Sequence, residues 1–72
     1  MKYKVGDVVI IKSNLTEETT GITNVYQYIN KTARITKDVS GEGSYAYALD
    51  IDNEKWLWDK EWLELYMSYK GC

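Results

Sequence analysis

The sequence contains no histidine and no proline, and its single cysteine, Cys72, is the last of 72 residues. Without histidine, the usual general acid or base near neutral pH is missing. One thiol cannot form an intrachain disulfide, and a structural zinc site needs four nitrogen or sulfur ligands. These absences argue against an enzyme, a zinc protein and a disulfide-linked domain, and we expect no cofactor.

The chain also lacks long apolar segments. No apolar run approaches the length of about 18 residues that a membrane-spanning helix needs. No charged segment followed by an apolar one opens the chain, as it would in a signal peptide. A lone cysteine is typical of a reducing compartment. We therefore expect a cytoplasmic protein that does not contact a membrane.

Charge is distributed unevenly along the chain. The formal net charge is −2 and the isoelectric point is about 5.0. Residues 1–37 carry six basic and three acidic side chains, a net +3, whereas residues 38–72 carry three basic and eight acidic ones, a net −5. A nucleic-acid-binding domain usually has a basic excess, so the overall charge does not favour that class.

Aromatic residues are abundant instead: the chain has seven tyrosines and three tryptophans, but no phenylalanine. A chain of this length forms one domain, residues 1–72. Such a domain buries only about 60% of the surface that its unfolded form exposes. Because no disulfide is available, we expect buried rings to supply much of the stability.

Residue patterns predict a mostly β protein. The β-branched run Val8–Ile11 predicts a first strand in the middle of the sheet. The segments KTARITKDV and YAYALDID alternate between apolar and polar residues, which predicts two further strands. Their inward side chains are expected to be Ala33, Ile35, Val39, Tyr45, Tyr47, Leu49 and Ile51.

A tight hairpin is predicted after the third strand, because Asn-Glu fits a two-residue loop. This register sets Asp52 opposite Lys55 as a favourable charge pair. It also sets Leu49 opposite Trp58, so that Trp56 and Trp58 both point into the core.

The long first loop is predicted to contain one short helix. Its beginning, NLTEETT, is polar and predicts irregular structure. The following segment, GITNVYQYINK, places four apolar residues on one helical stripe: Ile22, Val25, Tyr26 and Ile29. Gly21 or Thr23 would cap the start of this helix and Asn30 its end.

The order of elements predicts how the chain closes. DKEW fits a single 3₁₀ turn, and LELYM forms the last strand. Five short strands that close on themselves remove exposed sheet edges. The predicted fold is a small five-stranded SH3-like barrel with one short helix in its first long loop and a 3₁₀ turn before the last strand.

Four segments, KVGDVVIIK, NKTARITK, YALDIDNEKWLW and KEWLELY, together resemble small SH3-like barrel proteins of Gram-positive bacteria and of their phages and plasmids. In that group a Gly-Asp turn precedes the first strand, and a Trp-x-Trp strand is followed by an acidic residue, a bulky apolar pair and Leu-Glu. Asn30 stands where a glycine is common, and asparagine tolerates the positive φ of such a turn. Most members have no assigned function, and some small phage proteins inhibit host enzymes or defence systems. The resemblance therefore implies the fold and a phage or mobile-element protein that inhibits a host factor.

Exposed rings are the predicted contact residues of a non-enzymatic protein-binding module, which is expected to be a monomer or a weak homodimer. An exposed tryptophan or tyrosine often dominates a protein interface. The candidates for contact with a protein partner are Trp62, Tyr66, Tyr28 and Tyr45, and Tyr69 is a further exposed candidate.

A nucleic-acid-binding accessory protein is the alternative, acting on single strands or on RNA. A weaker similarity to the KOW-type barrels that bind RNA points the same way. Such a protein needs rings together with a basic stripe, and the candidates for that stripe are Lys12, Lys31, Arg34 and Lys37.

Carboxylates near the hairpin match the spacing of a calcium-binding loop: Asp50, Asp52, Glu54 and Glu61. That loop needs a glycine at its sixth position, where this chain has Lys55, and it needs helices on both sides. We therefore predict no metal site.

Overall fold

The computed structural model describes residues 3–41 and 43–67. Five strands form one antiparallel sheet in the order β4-β3-β2-β1-β5. The strands are β1 Val8–Ile11, β2 Thr32–Asp38, β3 Ala46–Leu49, β4 Leu57–Asp59 and β5 Leu63–Met67. One short helix, α1, covers Glu17–Thr20, and 3₁₀ turns cover Val25–Gln27 and Lys60–Trp62. The predicted mostly β fold, with a short helix in the first long loop and a 3₁₀ turn before the last strand, is confirmed.

Strand β1 lies inside the sheet, as predicted, and pairs with β2 on one side and β5 on the other. Val9 and Ile11 are fully buried, whereas Val8 and Ile10 are half-buried on the outer face. A run of β-branched residues suits this position because it supplies apolar side chains to both faces.

The sheet is strongly curved. Its two edge strands, β4 and β5, are joined by only three residues, Lys60–Trp62. In a flat sheet, the first and fifth strands would lie about 19 Å apart, whereas three residues of 3₁₀ helix advance about 6 Å. A bulge in β2 between Ile35 and Lys37 supplies part of the bend, because an extra residue kinks the strand that carries it.

The core lies on the concave side of this sheet, and Trp58 is its largest fully buried side chain. The Trp58 ring contacts Tyr28 edge-on at a centroid distance of 5.7 Å and Trp62 at 6.4 Å. The same cluster includes Leu63 of β5, so side chains from both edge strands meet in one core. The predicted inward position of Trp58 is confirmed, and Trp56 packs half-buried against the cluster.

The predicted two-residue hairpin is wrong. Trp58 pairs with Tyr47, not with Leu49, and the loop extends over residues 50–56. Because this register differs from the predicted one by two residues, the inward face of each strand is unchanged. Asn53 and Glu54 adopt positive φ values of 56° and 64°.

The reason for the longer loop is Asp52, which turns inward and is buried. Its Oδ2 accepts hydrogen bonds from the backbone N–H of Trp56 and from the indole N–H of Trp58. Its backbone carbonyl accepts the N–H of Lys55 at 3.1 Å. The carboxylate is therefore an internal acceptor and not the exposed half of a cross-strand charge pair.

The helix in the first loop begins earlier than predicted. The hydroxyl of Thr16 accepts the N–H of Thr19 at the start of α1, and the helix ends at Gly21 with φ 72°. Gly21 thus ends a helix in the segment that was predicted to be irregular.

In place of the predicted helix, this segment forms the 3₁₀ turn Val25–Gln27. Asn24 has φ 57°, a left-handed conformation that interrupts any longer helix. Ile22 and Val25 are buried as expected, and Ile29 is half-buried, but Tyr26 is exposed.

Val39 was predicted to point inward but is exposed, and Tyr45 is exposed as expected for a contact candidate, although the strand pattern had placed it on the inward face. Strand β2 ends at Asp38 and β3 begins at Ala46, so both residues lie outside the sheet. The bulge at Ile35 also breaks the strict alternation that the sequence pattern assumed. Ala33, Ile35, Tyr47 and Leu49 are buried as predicted, and Ile51 is half-buried.

Candidate functional site

The four aromatic candidates for partner contact separate into two pairs. Tyr66 and Tyr45 are exposed, with 60% and 44% of their surface accessible. Trp62 and Tyr28 are half-buried, and both pack edge-on against Trp58. The expectation that Trp62 and Tyr28 are fully exposed is therefore corrected, because the 3₁₀ turn and the first loop hold their rings against the core; their contact with a partner stays a prediction.

Tyr45 and Tyr66 occupy different parts of the sheet. Tyr45 precedes β3, and the ammonium group of Lys60 lies 5.5 Å from its ring centroid. Tyr66 lies in β5, and β2 and β1 separate β3 from β5 in the sheet order. A further candidate, Tyr69, lies outside the described residues, as does Cys72.

Three consecutive apolar residues are exposed on the edge strand β5. They are Leu65, Tyr66 and Met67, which are 42%, 60% and 60% exposed. We call these three residues the β5 strip. Sequence reasoning identified only Tyr66, although the apolar positions of LELYM and the edge position of the last strand were signals for the other two.

Among the described residues, no strand pairs with β5 on the side away from β1. The N–H of Lys12 donates to the carbonyl of Trp62, and Ile10 lies directly opposite Glu64. Bonded and non-bonded pairs alternate along an antiparallel ladder. Glu64 is therefore bonded to β1, whereas the N–H and C=O of Leu65 point away from it.

Tyr3 confirms this direction, because its hydroxyl donates to the carbonyl of Leu63 at 3.0 Å. Leu63 is a non-bonded partner of Ile11, so its carbonyl points to the same side as that of Leu65. Within residues 3–41 and 43–67, Tyr3 is the residue that bonds to this edge of β5, and its hydroxyl bonds to the Leu63 carbonyl only.

Burial raises the pKa of Tyr3, and the neighbouring Tyr47, Glu64 and Glu61 raise it further. A phenolate at this position would lose its hydrogen bond to the Leu63 carbonyl and would face two carboxylates. The electrostatic environment of the β5 edge is therefore unfavourable for negative charge.

Replacing Tyr3 with phenylalanine tests this environment. A folded-state pKa above 10.0 means that Tyr3 contributes stability below pH 10, and that this contribution is lost as the pH rises through the raised value. At about pH 8 the Tyr3→Phe variant should be less stable by about 1 kcal/mol, the value of one hydrogen bond. At about pH 11 the difference between the urea midpoints of the two proteins should shrink or reverse. An unchanged difference across this range would contradict the account.

Carboxylates lie near three of the four basic candidates. Lys12 and Glu64 line the same open depression of about 280 Å³. Arg34 and Asp50 line a second one of about 190 Å³. Lys37 forms an ion pair with Glu54 at 3.7 Å, and Lys31 is exposed at the start of β2.

The acids near the hairpin point in different directions. Oδ1 of Asp50 accepts the N–H of Arg34 at 3.0 Å, and Asp52 is directed into the core. Among the residues that the structure describes, no group of three His, Cys, Asp or Glu side chains is placed to hold a metal ion. In the same part of the chain, no helix is both long enough and apolar enough to cross a membrane.

Comparisons with protein-family models, with curated proteins and with solved structures find no match for this chain. The geometry of the β5 edge is therefore the observation from which a function is inferred.

Proposed function

We propose that this chain is a non-enzymatic protein-binding module and that it binds its partner through the β5 strip. The observation that carries the proposal is a run of three exposed apolar side chains on an edge strand. Fully burying a side chain such as leucine or methionine gains about 1.5–3 kcal/mol. Tyrosine is in addition one of the residue types that dominate protein interfaces, so the β5 strip has the composition of a contact surface.

The surroundings of the basic side chains favour a protein over a nucleic acid as the partner. Two of the four basic candidates share their surroundings with a carboxylate outside β5: Arg34 with Asp50, and Lys37 with Glu54. Phosphate binding depends on uncompensated positive charge. Binding of single-stranded nucleic acid or RNA therefore has weaker support, although it remains an outcome that the experiment below can detect.

The scaffold that presents the strip is proposed to be an SH3-like barrel. The short connection between β4 and β5 supports closure, because it brings the two edges of the sheet together at that end. The shared core supports it as well, since Trp58 of β4 and Leu63 of β5 belong to one cluster.

The biological setting is proposed from the resemblance alone: a phage or mobile-element protein whose cytoplasmic partner is a host factor or part of a defence system. Inhibition would follow if the β5 strip covers a surface that the host protein needs for its own activity.

Site-specific crosslinking tests the binding surface. A photoreactive phenylalanine analogue at position 66 should capture one protein from a Gram-positive cell extract. The same analogue at position 26 is the matched control, because Tyr26 is also an exposed tyrosine, at 52%, but lies in the first 3₁₀ turn. The captured protein is then purified, and its affinity for the unmodified chain is measured by calorimetry.

Replacing both Tyr66 and Met67 with serine should weaken that affinity by about a hundredfold, whereas Tyr26→Ser should leave it unchanged. Both variants should keep the stability of the parent within about 0.5 kcal/mol, because the altered side chains are exposed. Equal capture from positions 66 and 26, or equal affinity of both variants, would refute the proposal. Salt-sensitive binding of short single-stranded nucleic acids instead would support the alternative.

A further inference from the structure

We infer that the partner binds by strand addition: an extended segment with lysine or arginine side chains between apolar ones pairs with Leu65 and extends the five-stranded sheet beyond β5. This inference rests on the proposed function and specifies the binding mode and the partner chemistry. Peptides that add a strand to a sheet edge gain affinity from main-chain hydrogen bonds and specificity from alternate side chains.

The backbone of β5 offers a defined starting point for such pairing. The N–H and C=O of Leu65 point away from β1, and within the described part of the chain no group bonds to them. The carbonyl of Leu63 already accepts a hydrogen bond from the hydroxyl of Tyr3. An added strand is therefore anchored at Leu65, because the ladder with β1 shifts register between Leu65 and Met67.

The inner face of the edge selects an apolar residue. Leu65 lies opposite Val9, which is fully buried, so both side chains point to the concave side of the sheet. Leu65 is nevertheless 42% exposed, because the core ends at this strand. An apolar side chain of an added strand, placed opposite Leu65, would cover it and extend the core.

The outer face and the neighbouring turn select positive charge. Glu64 is exposed on β5, and Glu61 is exposed in the 3₁₀ turn before it. Both carboxylates raise the pKa of the Tyr3 hydroxyl, which donates a hydrogen bond to the Leu63 carbonyl at the open edge of β5. Opposite charges on adjacent strands attract each other, so lysine or arginine is favoured next to Glu64.

The same charges disfavour a second copy of this chain as the occupant. In an antiparallel pair of β5 edges centred on Leu65, Glu64 of one copy would lie diagonally across from Glu64 of the other, and like charges across a strand pair are destabilising. The charge pattern thus points to a basic segment from a different protein.

A peptide titration with the full-length protein tests the inference. The probe is a fluorescent nine-residue peptide that alternates lysine with valine or isoleucine, and its control carries glutamate in place of lysine. Anisotropy should show binding of the lysine peptide and at least about tenfold weaker binding of the glutamate peptide. The double variant Tyr66→Ser/Met67→Ser should bind the lysine peptide at least about tenfold more weakly than the parent does.

Methylation of the peptide backbone separates strand addition from contact through side chains alone. In an added strand, alternate amides face β5. N-methylation of one alternating set should therefore reduce affinity at least about tenfold, and methylation of the other set should have little effect. Equal effects of the two sets, equal affinity for the lysine and glutamate peptides, or no binding of the lysine peptide would overturn strand addition by a basic segment.

Sedimentation of the chain alone provides an independent outcome. A dimer that dissociates when Tyr66 and Met67 are replaced with serine would also overturn the inference, because the edge would then be occupied by a second copy. The crosslinking result at position 66 separates these failures from a failure of the proposed function: capture there, combined with a negative peptide titration, rejects only the binding mode.

Discussion

Replacement of Trp58 with alanine is expected to leave the chain largely unfolded at room temperature. The Trp58 side chain is fully buried and contacts the rings of both Tyr28 and Trp62. Removing a buried tryptophan side chain costs about 3–5 kcal/mol. The core of a domain this small supplies only roughly 3–5 kcal/mol of net stability, so one substitution removes about the whole of it.

The adjacent residue provides the control for this prediction. Leu57 lies in the same strand but is 55% exposed, so Leu57→Ala should change the free energy of unfolding by less than about 0.5 kcal/mol. Far-ultraviolet circular dichroism and urea unfolding measure both variants. If Trp58→Ala unfolded with a midpoint close to that of the parent, Trp58 would not be the centre of the core.

The second large effect is expected at Asp52. Replacing it with alanine should lower the free energy of unfolding by about 2–3 kcal/mol, because a buried donor that loses its acceptor costs about 1–3 kcal/mol. Two donors are affected: the N–H of Trp56 and the indole N–H of Trp58, which lie 3.0 Å and 3.2 Å from Oδ2.

Asparagine at the same position should be tolerated much better. It keeps an oxygen that can accept both hydrogen bonds, and it removes a buried charge. Oδ1 of Asp52 is buried and has no hydrogen-bond partner among the described residues, so the charge is incompletely compensated. The amide nitrogen would replace Oδ1 as a buried donor without an acceptor, so we expect Asp52→Asn to cost about 1 kcal/mol in the free energy of unfolding, less than Asp52→Ala.

Asp50→Ala is the matched control in the same loop, because Asp50 also accepts one backbone hydrogen bond but is exposed. It should cost less than about 1 kcal/mol. Urea unfolding of the three variants compares these costs directly. Equal losses for Asp52→Ala and Asp52→Asn would show that charge, not hydrogen bonding, holds the loop.

Asp52 also explains why the strands could be predicted from the sequence and the hairpin could not. Strand β1 was predictable because four consecutive β-branched residues strongly favour extended structure. The alternation of β3 likewise located Tyr47 and Leu49 in the core. An aspartate near a turn is usually exposed, so only the position of the Trp58 indole reveals that this one is an internal acceptor.

The first loop differs from the hairpin, because the sequence does contain local signals for the helix α1. The apolar stripe of the next segment outweighed those signals in the prediction. Thr16 as the N-cap, Glu17 and Glu18 in the first turn, and Gly21 at the end are all typical of a short helix. The apolar stripe beginning at Ile22 suggested a helix in the next segment. That stripe arises instead because a loop covering the core must also bury apolar residues.

The candidate site was only partly predictable for a topological reason. Exposed Tyr66 was predicted, but Trp62 and Tyr28 proved to be half-buried around Trp58. The importance of Leu65 depends on β5 being an edge strand, which pairs with β1 alone among the strands that the structure describes; this is a property of the sheet order and not of local sequence.

Amide hydrogen exchange of β5 tests the central claim, an open and apolar edge strand, most directly. Glu64 is bonded to β1, so its amide should exchange slowly, whereas the outward amide of Leu65 should exchange faster by about two orders of magnitude. That alternation in the free protein is the result we predict. Equal protection of the Glu64 and Leu65 amides would show that the edge is already covered, which would contradict both the proposed binding surface and strand addition.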